Sequence, residues 1–387
     1  MLACSPSRSG SCRRSSSWRL PVVFRGTERV RSVVGLITSC RSTDDHQGSR
    51  PARSRGIIRE VNDAENGTEI GSGGGCGRRC AAGRERRLRG PGALHLSASC
   101  DADQCLLAGG QEGHDEACEQ IEADCQMVFL QQDGNFQEQL NNLEAVIAQD
   151  PDGIIMTFAG GNIFDEAIDR AMEAGIPVLA SNVDHPDKTH RLSFTGQDLE
   201  QAGYDLAAGL APQFPAEGPI HVLIGISGPG QVWAESRGAG IARFMDDYIA
   251  ANPGREITYE KIDSGLDLAI TGQRVAAYVQ TTPTTAYFDV GYWAAGAAVS
   301  LRDLGKAPGE VLLACFDLVP VVLDEMKTGY IQLTIDQQPF LQGYVPIHQL
   351  HMMNKYKLGA YDANTGKALV TPDQVDALLE LSAQGIR

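Results

Sequence analysis

The sequence predicts an α/β fold of two doubly wound parallel-sheet lobes, and three observations carry that prediction. From Gly109 onward short apolar runs alternate with longer segments of helix period. The turns between them are short, as in βαβ units with a parallel sheet. The strand segments fill two sheets of about four to six strands more naturally than one very wide sheet.

The elements follow in order. A helix over Gly110–Glu122 leads to a strand at Gln126–Leu130, a helix at Phe136–Ala148 and a strand at Gly153–Phe158. A helix at Phe164–Ala174, a strand at Pro177–Ser181, a short strand at Arg191–Thr195 and a helix at Leu199–Leu210 complete one lobe's worth of pattern. The second run opens with the strand Ile220–Ile226, the long helix Val232–Ala250 and the strand Ile257–Lys261. It continues with a helix at Ala269–Tyr278, a strand at Thr285–Phe288, a helix at Tyr292–Leu301, a strand at Val311–Phe316 and a helix at Pro320–Lys327. The strand Ile331–Ile335 and a proline-started helix from Phe340 to Met353 come last, before a partly polar tail with a helix-like Pro372–Ala383.

Residues 1–100 are unlike the rest. They hold 18 Arg, no Lys and 8 acidic residues, a net charge of +10, whereas residues 101–387 hold 15 basic and 41 acidic residues, a net charge of −26. The basic part is rich in Gly, Ser and Arg with few apolar periods, and so buries too little apolar surface to offset its ordering entropy. Three readings stand for it: a disordered nucleic-acid arm, a secretion or anchoring signal, and coding sequence read in a wrong frame or from a wrong start. Arginine without lysine favours the last, because an evolved basic arm mixes the two to contact phosphates. The apolar run Val33–Thr38 is shorter than the 7–15 residues of a signal peptide, although Leu36-Ile-Thr-Ser-Cys40 is similar to a lipoprotein cleavage box.

The acidity of residues 101–387 opposes nucleic-acid binding. Cys76-x3-Cys80 and Cys118-x6-Cys125 lack the paired short spacings of zinc sites, no disulfide framework is implied, and Cys315 reads as a buried structural thiol. His348 and His351 share a helix face without a third ligand nearby. Gly225-Ile-Ser-Gly-Pro-Gly230 misses a nucleophile elbow at Pro229, and Gly238-Ala-Gly-Ile-Ala-Arg breaks the dinucleotide fingerprint at its last glycine. No enzyme, cofactor or metal is therefore expected.

The residues just past the strands are polar: Asn182 and Asp184, Ser227, Asp289, Asp317, and Asp336 with Gln337. Strand tips of open α/β sheets face the ligand crevice, and carboxylates and amides there suit a ligand rich in hydroxyl groups. Helix capping is the competing use of such residues. Trp233, Tyr292 and Trp293 start the helices after such tips, where an aromatic face can stack on a sugar ring or pack in the core. Glu235, about one turn into its helix, can point back into the crevice, and Arg237 can hold it or a neighbouring carboxylate.

From Gly109 to about Met353 the chain resembles the periplasmic sugar-binding proteins of ABC importers, of the ribose- and galactose-binding type. The resemblance rests on Gln111-Glu-Gly-His-Asp-Glu-Ala, Asp152-Gly-Ile-Ile, Ala174-Gly-Ile-Pro-Val-Leu-Ala-Ser-Asn182 and Phe194-Thr-Gly-Gln-Asp198. Glu235-Ser-Arg-Gly-Ala-Gly240, Cys315-Phe-Asp317 and Ile335-Asp-Gln-Gln-Pro-Phe-Leu-Gln-Gly-Tyr344 continue it in the same order. It implies a type I periplasmic binding fold whose lobes are joined by a hinge, with crossings near Gln197, Leu318 and Gln337. It divides the chain into a disordered or mis-framed segment 1–108, an N-terminal lobe of 109–197 plus 338–357, a C-terminal lobe of 198–337 and a tail of 358–387. The implied ligand contacts are Asn182, Glu235, Asp317 and Gln337, with Asp184, Val290 and Asp336 adjacent; Trp233 and Asp289 complete the candidate site. The implied function is a monomeric, periplasmic or otherwise extracytoplasmic solute-binding component that hands a sugar to an ABC permease and binds no nucleic acid. A sugar-responsive regulator of the lactose-repressor type shares the fold, but residues 1–100 lack a helix-turn-helix pattern. The family's first strand is expected near Ala93–Gln104, where this sequence lacks the family's aromatic pair.

Overall fold

The computed structural model describes residues 33–36, 108–131, 134–384 and 386–387. The chain first lays down β1 (Val33–Leu36), α1 (Ala108–Gln120), β2 (Cys125–Val128), α2 (Phe136–Ile147), β3 (Ile154–Met156), α3 (Asp165–Glu173), β4 (Val178–Asn182) and β5 (Phe194–Gly196). A second run holds α4 (Leu199–Leu210), β6 (Ile220–Ile226), α5 (Val232–Ala251), β7 (Ile257–Asp263) and α6 (Leu268–Thr281). It goes on through β8 (Ala286–Asp289), α7 (Ala294–Asp303), β9 (Leu312–Phe316), α8 (Pro320–Lys327) and β10 (Ile331–Asp336). Last come α9 (Pro339–Tyr356), β11 (Ala363–Asn364), β12 (Ala368–Val370) and α10 (Val375–Ala383).

Two sheets result, in the orders β2-β1-β3-β4-β5-β11 and β7-β6-β8-β9-β10-β12. Every pairing is parallel except that of β12 with β10. Parallel strands covered on both faces read as continuous apolar runs, which is why β3 and β9 are buried along their whole length. In each sheet the order reverses beside the second strand, the switch point at which tips splay apart and leave a crevice.

Each face of each sheet has its own core. In the first lobe Leu143, Phe158, Phe164 and Ile168 form one and Ala117, Leu179, Ile347 and Leu350 the other. In the second, Leu206, Ile224, Ile241 and Phe288 lie on one side and Val275, Tyr287, Leu301 and Leu323 on the other. Among the described residues no helix is long and apolar enough to cross a membrane.

The structure changes several sequence expectations. An inner place in the first sheet is taken by Val33–Leu36, paired in parallel with β2 and β3; the Ala93–Gln104 strand, the rest of residues 1–107 and residues 37–40 of the box ending at Cys40 lie outside the described residues. An apolar run too short for a signal peptide is long enough for a strand of four residues. The chain passes between the sheets at Gln197–Asp198, at Gln337–Gln338, and again at 365–367 between β11 and β12. Leu318 is therefore no crossing: it lies between β9 and α8 in the second lobe, buried in that lobe's core. The 358–387 span supplies an edge strand to each sheet and a helix whose Val375 is buried in the second lobe. Cys118 and Cys125 form a disulfide, because the end of α1 and the start of β2 meet at a tight turn. Cys315 is a free buried thiol, pushed up by burial.

Candidate functional site

Asn182 and Asp317 end β4 and follow β9, and both hold left-handed backbone, φ 65° and 76°. Such conformations are uncommon outside glycine and gather at functional sites, with Asn and Asp the most tolerant types. Here they turn the two side chains toward the second crossing. Gln337 Nε2 donates to Asp317 Oδ1 at 2.6 Å, and Asn182 Nδ2 donates to Gln337 Oε1 at 3.2 Å and to Gln342 Oε1 at 2.9 Å. A continuous run of hydrogen bonds thus leads from the second lobe, through a crossing residue, to the first.

The third crossing is tied to the same run. Thr365 Oγ1 donates to the Gln337 carbonyl at 2.7 Å, and Gln342 Nε2 donates to that carbonyl at 2.9 Å. The first crossing joins the third through Gln197, whose Nε2 donates to the Gly366 carbonyl at 3.3 Å and whose Oε1 accepts from Arg237 Nε at 3.0 Å and from Nη2 at 2.7 Å.

Arg237 is the inward-facing residue that sequence reasoning left in a secondary role. It is 4% exposed, its guanidinium carbon lies 4.0 Å from the centre of the Phe316 ring, and its Nη1 donates to the Val290 carbonyl at 2.9 Å. Burial lowers its pKa to about 10, against the attraction of Asp317, so it stays cationic at neutral pH. Burial raises the Asp317 carboxyl, while Arg237 and the Gln337 amide pull it back down. Helix spacing holds the signal for Arg237: four residues from Trp233 it shares that residue's face, whereas Glu235 is turned about 200° away.

An aromatic ladder borders this polar set. Trp233 and Trp293 stack at 6.1 Å and 28°, and Trp293 stacks on Tyr292 at 4.4 Å and 24°. Trp233 and Val232 also pack with Leu199 against Phe136, Ala159 and Val183 of the first lobe, so apolar contact closes one side of the crevice.

Asn182, Asp317 and Gln337 are brought together by hydrogen bonds, and Trp233 lies beside Arg237, whose guanidinium carbon is 5.9 Å from its ring centre; Val290 is represented by its carbonyl, and its side chain is buried in the second lobe's core. The other candidates have other partners. Glu235 is exposed and accepts from the Gly230 N–H at 2.8 Å, bracing its own helix start. Asp184 takes a two-point contact from Arg191, which also binds Asp362. Asp336 accepts from the Gln338 N–H at 2.8 Å and pairs with Arg387 at 3.1 Å. Asp289 is fully buried and accepts from Ser227, Ser264, Tyr287 and the Gly291 N–H.

Two doubly wound lobes joined by three crossings thus meet at a crevice of amide, carboxylate, guanidinium and indole groups. The periplasmic binding protein domain matches residues 108–357.

The chain belongs to the periplasmic binding protein family.

That family implies an extracytoplasmic location. A xylose/arabinose-binding protein of Sulfolobus acidocaldarius is 25% identical over 257 residues, 62% of this chain and 61% of that protein. The chain thus spans about three fifths of the length of that curated relative. A periplasmic sugar-binding protein of an ABC sugar transporter from Legionella pneumophila is 26% identical, with a TM-score of 0.63 over 71% of this chain and 99% of its own. A solute-binding protein from Burkholderia graminis, solved with D-arabinose, is 24% identical with a TM-score of 0.63 over 73% and 96%, and shares the fold.

Proposed function

We propose that this protein is the solute-binding component of a sugar ABC importer, taking a monosaccharide or similar polyol between its lobes and delivering it to a membrane permease. The observation that carries this reading is the Asp317–Gln337–Asn182 run beside the Trp233–Trp293 ladder. Asp317 accepts from adjacent hydroxyls, Asn182 and Gln337 both donate and accept, Arg237 donates to a ring or hydroxyl oxygen, and an indole covers the apolar sugar face. Glu235, Asp184, Asp289 and Asp336 act in this reading by bracing the elements that carry these groups. The sugar shifts the lobes toward the closed arrangement that the permease recognises, with no bond made or broken and as a monomer in the periplasm. The relatives named for xylose, arabinose and sugar transport support the ligand class.

Isothermal calorimetry with the full chain against pentoses, hexoses and myo-inositol tests it. One member of the panel is expected to bind with 1:1 stoichiometry and to lose most of its heat with Asp317→Ala. A panel without heat from any member would overturn the proposal.

A further inference from the structure

His114 and Cys118 stand four residues apart on α1, so their side chains leave the same helix face, and Cys125 opens the strand that follows. One imidazole nitrogen of His114 and the two sulfurs lie within 4.8 Å of one another. His114 is 3% exposed, and its Nδ1 is 2.5 Å from Asp115 Oδ1. A carboxylate only accepts, so Nδ1 carries the ring proton and Nε2 presents a bare lone pair. That Nε2 is buried and, among the described residues, has no hydrogen-bond partner. The disulfide offers it none, because neither sulfur bears a proton. An acceptor nitrogen whose ring is oriented by a carboxylate on the other nitrogen, on a histidine that stands beside two cysteines, is the arrangement of a metal-binding histidine.

We propose that His114, Cys118 and Cys125 form a thiol-gated site for a zinc-like divalent cation, closed while the disulfide stands and opened by its reduction. A thiol reductant supplies two electrons and two protons; the S–S bond breaks, two cysteine thiols form, and the reductant becomes its own disulfide. The cation then displaces both thiol protons and binds two thiolates and the His114 Nε2. Bonds of about 2.0–2.3 Å set tetrahedral ligands roughly 3.4–3.8 Å apart, within reach of the present spacing. Cys125 is only partly buried, which gives the cation an entry path, and a water would complete the tetrahedron.

Cobalt(II), followed by its thiolate charge-transfer absorption and displaced by zinc, probes the site in the full chain with and without a phosphine reductant. The reduced protein is expected to take one equivalent more than a Cys118→Ser/Cys125→Ser variant, and the oxidised protein is not. Other cysteines contribute equally to both, so the difference reads this site. Asp115→Asn is expected to weaken that equivalent about 10–100-fold, and His114→Gln to change its visible spectrum. Asp115 is 60% exposed, so its replacement leaves folding intact and keeps the test decisive if His114→Gln does not fold. Retention of the equivalent by the double-serine variant, equal binding by the oxidised chain, or unchanged affinity in Asp115→Asn would overturn the proposal.

Discussion

At the scale of single residues, polar side chains at strand tips were readable, but which way each turns was not. Asn182, Asp317 and Asp289 carry the same sequence signal, a polar residue after an apolar strand. Left-handed backbone turns the first two toward the crossing, while Ser227, Ser264 and Tyr287 enclose the third within its own lobe. The difference is set by neighbours distant in sequence. Removing a charge-assisted hydrogen bond costs about 1.5–3 kcal/mol, so Arg237→Met is expected to weaken sugar binding roughly 10- to 150-fold by calorimetry, with Glu235→Gln closer to the parent protein. Asp289 gives a pH dependence. Burial outweighs the hydrogen bonds it accepts and raises its carboxyl to about 6, above the ordinary 3.8. The folded state therefore holds a proton that the unfolded chain has released, and the resulting stability, present in full below pH 3.8, is lost as pH rises through 6. Relative to Asp289→Asn, the parent protein is expected to lose on the order of 2 kcal/mol between pH 4 and pH 7 in urea unfolding, and parallel curves would exclude this.

At the scale of elements, order and type were legible from Gly109 onward because continuous apolar strands and helix-period segments are local signals. The place of Val33–Leu36 in the first sheet was not, since a four-residue strand takes its role only from its long-range partners β2 and β3. Nor was β11, a two-residue strand in a polar stretch. Helix contact depends on glycines that look like ordinary breakers in the sequence. A methyl group added at Gly240 would lie 1.8 Å from the Glu200 carbonyl oxygen, and one at Gly203 would lie 2.1 Å from that of Arg237. These two glycines let α4 and α5 touch backbone to backbone, and so fix the depth at which α5 presents Arg237. Gly240→Ala meets backbone that cannot yield like a side chain, and overpacking of this kind costs about 1–3 kcal/mol or more. A clear fall in melting temperature is expected, with weaker sugar binding because Arg237 moves with its helix. Ala239→Ser, on the exposed neighbouring position, is the control expected to leave both unchanged.

At the scale of the whole molecule, the lobes are coupled by two unlike contacts, and a single substitution can separate them. The polar run passes through the crossings at Gln197, Gln337 and Thr365, and crossings persist whether the crevice is open or shut. The apolar contact of Val232 and Trp233 with Phe136, Ala159 and Val183 joins surfaces far apart in the chain, so lobes that swing apart would break it. Val232 is the first residue of α5. An acidic residue there complements the positive end of the helix and favours its fold, yet it puts a charge into the apolar closure contact. Val232→Asp is thus expected to keep the melting temperature of the sugar-free protein while reducing the population of the closed form. Apparent affinity falls in proportion to that population. In small-angle scattering the sugar-dependent decrease in radius of gyration should shrink, and a larger sugar excess should be needed to reach it. Equal compaction at equal sugar concentration would mean that the crossings alone set the closed state and that the apolar contact is incidental to it.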